Sequence, residues 1–97
     1  MRIVGTERLE DCFDGSSAYS YCFNGRWTRT DILALDALGQ VDYYPGFPRP
    51  FFRVRGREGW VVKGVEGEDN CHAVFPGRGA EEGKQRFEAQ FGDDAEG

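Results

Sequence analysis

Between Tyr43 and Phe52 the chain places five of its fourteen aromatic residues and three of its four prolines, in the run Tyr43-Tyr44-Pro45-Gly46-Phe47-Pro48-Arg49-Pro50-Phe51-Phe52. Proline fixes its own φ and biases the residue before it towards extended geometry, so this stretch cannot be helical. It leads straight into Arg53-Val54-Arg55, where a strand must begin. Side chains alternate along a strand, which puts Phe52 and Val54 on one face and Phe51, Arg53 and Arg55 on the other. A core claims the first pair. The second set is left for solvent or a partner.

Around this corner the rest of the chain reads as an α+β fold. Val41–Tyr44, Phe51–Arg55, Trp60–Val65 and Cys71–Phe75 are four β-like runs, the last three joined by loops of hairpin length. Together they predict an antiparallel meander. Thr30–Leu38 is the clearest short helix: Thr30 serves as cap, Asp31 suits the positive end of the helix dipole, and Gly39 suits a left-handed stop. Ile32, Leu35 and Leu38 share its apolar stripe. Ala80–Phe91 forms a second helix, with Phe87 and Phe91 one turn apart and Gly83 weakening it by ~1 kcal/mol relative to alanine.

Residues 1–30 are less legible. Leu9–Phe13 fits a short strand or a turn of helix. Tyr19–Phe23 alternates as a half-buried strand, and Asn24-Gly25 suggests a tight hairpin turn with Arg26-Trp27-Thr28 as its return strand, with a helix capped by Ser16 or Ser17 as the rival. The resulting expectation is one domain over residues 1–92. It holds an antiparallel sheet of four to six strands, with a short central helix and a C-terminal helix on one face. Residues 93–97 are an acidic tail too polar to pack and are expected to be disordered.

Ninety-seven residues support one modest core, and aromatics must supply much of its burial. The net charge of −5 conceals an uneven layout. Residues 43–65 carry Arg49, Arg53, Arg55, Arg57 and Lys63 against Glu58 alone, whereas residues 81–97 carry six acids against Lys84 and Arg86. The apolar runs are far shorter than the roughly twenty residues that span a membrane, and the N-terminal residues lack the apolar stretch of a secretory signal. These features, with an odd number of cysteines, point to a cytoplasmic protein with reduced thiols.

Candidate chemistry is sparse. Cys71 and His72 are adjacent on a strand and point to opposite faces, so they do not form a nucleophile–base pair with each other. A thiol- or metal-dependent protein would have to gather Cys12, Cys22, Cys71 and His72, without the short-spaced ligand pairs that zinc sites use. Gly77-Arg78-Gly79 lacks the third glycine and the Lys-Ser ending of a phosphate loop. Phe51 with Arg53 and Arg55 mixes rings and charge as single-stranded nucleic-acid binders do, but the acidic balance of the chain argues against that partner.

Five rings pinned by prolines exceed what one small sheet can cover, and exposed rings beside arginines are typical of contact surfaces. The reading is therefore a non-enzymatic binding or accessory module without a cofactor. Tyr43, Tyr44, Phe47, Arg49, Phe51, Arg53 and Arg55 are its expected contact residues, and a protein partner or a second copy its expected ligand. The thiol- or metal-dependent protein is the alternative.

Overall fold

A computed structural model describes residues 1–11, 16–57, 59–77 and 80–91. Its elements are β1 (Ile3–Asp11), β2 (Ser17–Phe23), α1 (Arg29–Ala34) continued by a 3₁₀ turn (Leu35–Ala37), β3 (Gly39–Tyr44), β4 (Phe51–Gly56), β5 (Val61–Val65), β6 (Asn70–Phe75) and α2 (Ala80–Gln90). The strands form one six-stranded sheet in the order β1-β2-β6-β5-β4-β3, antiparallel throughout. The fold is α+β, as the sequence predicts, with the meander running from β3 to β6. Among the described residues, no helix is long and apolar enough to cross a membrane.

One face of the sheet carries the core. Tyr21 and Phe23 of β2, Phe52 and Val54 of β4, Val62 of β5, and Cys71, Ala73 and Phe75 of β6 are buried there. Ile32, Leu35 and Leu38 from the crossover and Phe87 and Phe91 from α2 cover them. The other face has no covering layer among the described residues.

The hairpin expected at Asn24-Gly25 does not form, and residues 26–28 are not a strand. Beyond Cys22 the chain bonds to the β5–β6 turn: the Phe23 amide donates to the Asp69 carbonyl at 2.8 Å, and the Trp27 amide to that of Glu68 at 2.8 Å. Gly67, held at φ +92° in that turn, donates back to the Trp27 carbonyl at 2.9 Å. Asn24 instead bonds the start of β1, exchanging backbone and side-chain hydrogen bonds with Arg2. The Trp27 indole fills the core against Phe23, Phe52 and Phe91, and its N–H donates to the Asn70 carbonyl at 3.0 Å. From this anchor the chain crosses beneath the sheet to the far edge.

The crossover helix starts earlier than expected. Thr28, not Thr30, is the cap: its hydroxyl accepts from the Asp31 amide at 3.1 Å, and the Asp31 carboxylate accepts from the Thr28 amide, a reciprocal box. Gly39 does not stop the helix in a left-handed conformation. It opens β3, where a Cβ would lie 2.2 Å from the Arg55 carbonyl oxygen, so glycine is needed for backbone approach.

The two edges differ. Strand β1 breaks register between Ile3 and Gly5 and again between Arg8 and Glu10, which leaves Val4 and Leu9 as exposed bulged residues. Such bulges twist an edge away from further pairing. Strand β3 pairs with β4 residue by residue without a break.

Candidate interaction surface

Cross-strand register decides what the open face presents. Tyr44, Phe51 and Val65 align in one row across β3, β4 and β5. Asp42, Arg53, Lys63, His72, Ser20 and Glu7 align in the next, across all six strands. Gln40, Arg55, Val61, Val74 and Ala18 form a third. An aromatic row therefore borders a charged one.

The proline turn folds Phe47 back onto the aromatic row. Tyr44 stacks on Phe51 with centroids 4.7 Å apart, Phe47 on Tyr44 at 6.0 Å, and Phe47 contacts Phe51 at 5.2 Å. Tyr44 remains 37% and Phe47 53% exposed. These three rings contact one another and not the core, and they are the apolar end of the surface.

The arginines are partly neutralised. Arg53 and Arg55 both reach Oδ2 of Asp42 at 3.2 Å, and Arg49 pairs with Glu68 at 3.0 Å. Nε of Arg53 is buried without a hydrogen-bond partner among the described residues. None of the ion pairs among the described residues engages Lys63 or His72, which lie directly opposite each other on β5 and β6. A shallow depression of about 330 Å³ lies over this pair, walled by Phe51 and Val65 and rimmed by Arg49, Glu68 and Asn70. A second, of about 210 Å³, lies between Tyr44, Phe51, Arg53 and Lys63.

Of the seven expected contact residues, Tyr44, Phe47, Arg49, Phe51, Arg53 and Arg55 gather around this surface. Tyr43 does not. Its register partner is the buried Phe52, so its ring packs against the core on the opposite face. Its hydroxyl donates to Glu66, and that bond raises its pKa above the ordinary tyrosine value. Asp42, Lys63 and His72 join the surface although sequence singled out none of them as a contact residue. Alternation along each strand gives their face, but only strand pairing makes them neighbours.

The two described thiols lie on opposite faces of the sheet. Cys71 is buried in the core, and burial, with Cys22 as a lesser influence, pushes its thiol well above the ordinary range. It holds its proton and is a poor nucleophile. Cys22 and His72 are exposed on the open face, and Cys12 lies outside the described residues, as does the acidic tail 93–97. Among the described residues no three His, Cys, Asp or Glu side chains converge as metal ligands would.

On the covered face, Tyr21 donates to Glu88 of α2 at 2.8 Å, and Lys84 pairs with the same carboxylate oxygen at 2.8 Å. Burial first, and Glu88 second, hold the Tyr21 phenol far above its ordinary value. A phenol that keeps its proton cannot act as a base near neutrality. This network ties α2 to the sheet. No known protein family, curated protein or solved structure matches the chain at a significant level.

Proposed function

We propose that this chain is a small, non-enzymatic binding or accessory module of the cytoplasm. It contacts a protein partner, or a second copy of itself, through the surface formed by Tyr44, Phe47, Arg49, Phe51, Arg53 and Arg55. The observation that carries this reading is the exposed three-ring stack, held by a proline turn at the border of a sheet face that no described residues cover. Rings contribute far more as anchors in a contact than as exposed surface, and Tyr and Arg are enriched among the residues that dominate binding energy. The buried thiol of Cys71 holds its proton and so offers the thiol-dependent alternative no ready nucleophile at that position.

The test compares wild type with Phe47→Ala and Tyr44→Ala for capture of partners from native lysate, and by sedimentation velocity for self-association. A species bound by wild type and lost by both variants, with the melting temperature unchanged, supports the module. Equal binding by all three proteins refutes it.

A further inference from the structure

We infer that the occupant of this surface is an acidic peptide segment of a partner protein, with its carboxylates on Lys63 and His72 and an apolar side chain against Phe51. The inference rests on the binding-module reading and narrows it to one partner chemistry.

Charge on the open face supplies the argument. The acids near the rings are already committed, Asp42 to Arg53 and Arg55, and Glu68 to Arg49. Lys63 and His72 are paired across β5 and β6, and no ion pair among the described residues puts an acid on either. Lys63 brings a cation and His72 an imidazole N–H donor to one point of the open face, and a carboxylate accepts from both. The depression of about 330 Å³ lies over that pair and is walled on one side by Phe51. A carboxylate and a neighbouring apolar side chain therefore find charge and ring within one site.

The rest of the molecule limits what else fits. The chain carries a net charge of −5 and the row ends in Asp42 and Glu7, so positive charge is local to Arg53 and Lys63 and a long polyanion meets repulsion beyond them. Single-stranded nucleic acid also needs free ring faces. Here Tyr44 stacks on Phe51 at an interplanar angle of 27° and Phe47 on Tyr44 at 14°, so each ring already gives part of a face to a neighbouring ring. A short acidic segment avoids both conflicts.

The experiment is amide chemical-shift mapping on the isotopically labelled full chain. Three probes are used: a glutamate-rich peptide carrying one phenylalanine, the same peptide with glutamine for glutamate, and a single-stranded oligothymidylate. The glutamate peptide is expected to move the signals of Phe51, Lys63, Val65, Asn70 and His72, less so as salt rises. Lys63→Glu, at an exposed position, is expected to weaken that binding about tenfold or more. Equal shifts from the glutamine peptide would overturn the acidic assignment while leaving the contact surface standing. Stronger binding of the oligonucleotide to the same residues, or no shifts at millimolar glutamate peptide, would also overturn it. The broader reading fails separately, if Phe47→Ala leaves partner binding and self-association intact.

Discussion

Gly83 of α2 lies flat against the indole of Trp60: a Cβ at position 83 would fall 2.3 Å from Trp60 Cδ1. On its other side the same ring meets Gly56, where a Cβ would fall 1.9 Å from Cε2. Trp60 is fully buried between two glycines, and the helix reaches the sheet because one of them is in its second turn.

Gly83→Ala separates helix propensity from packing. Alanine gains roughly 1 kcal/mol in an exposed helix interior, whereas forcing atoms into a filled core costs about 1–3 kcal/mol. The Cβ would collide with a rigid ring, so the packing cost is expected to dominate. The urea midpoint should fall. A midpoint at or above that of wild type would mean that α2 does not lie on Trp60 as described.

The adjacent phenylalanines of β4 should behave as opposites. Phe52 is completely buried against Trp27 and over Gly64, and Phe51 is half-exposed in the outer aromatic stack. Phe52→Ala is expected to cost about 3–5 kcal/mol, a large share of a small domain's stability. Phe51→Ala should cost far less and remove a binding contact. Chemical denaturation of the two variants measures the difference, and equal losses would contradict the assignment of faces.

Alkaline pH should destabilise the domain through its covered face. The Tyr21 phenol and the Cys71 thiol are both raised above their ordinary values of 10.0 and 9.0, mainly by burial. Raised values mean that the unfolded chain releases these protons first, so stability is fully present below about pH 9 and declines as pH climbs further. Lys84 is also raised, chiefly by its bond to Glu88, and that contribution fades over a higher range. Tyr21→Phe removes one of these ionisations. Its denaturation midpoint should therefore depend less steeply on pH above about 10 than that of wild type. Identical slopes would contradict the burial of the Tyr21 phenol.

Asp42→Asn tests the shared carboxylate. Removing it frees Arg53 and Arg55 at a stability cost of about 0–1 kcal/mol, since both arginines are partly exposed. Binding of a glutamate-rich peptide should strengthen, as seen by titration calorimetry. Weaker binding would mean that Asp42 organises the arginines for their ligand instead of competing with it.

The legible parts of the sequence were those where local geometry suffices. Alternation gave the faces of Phe51, Phe52, Arg53 and Val54, and the apolar stripe gave Ile32, Leu35 and Leu38. Asn24-Gly25 misled because its turn chemistry was overridden by long-range bonds from Phe23 and Trp27 to the β5–β6 turn, some forty residues away. Thr28 won the helix cap because Asp31 stands three residues on to complete the box. Tyr43 faces the core although it belongs to the proline corner, because period two puts it on the opposite face from Tyr44. The Lys63–His72 pairing depends on the register of β5 with β6, which composition does not carry.

The central claim is that the stacked rings of Tyr44, Phe47 and Phe51 form a contact surface and not a lid on the core. The most direct measurement pairs two readings on Phe47→Ala: thermal stability, and calorimetric affinity for the partner that the wild-type chain retains from lysate. The account predicts a melting temperature within error of wild type and an affinity at least about tenfold weaker, the loss of roughly 1.4 kcal/mol. A sharp fall in stability, or an affinity unchanged from wild type, would contradict it.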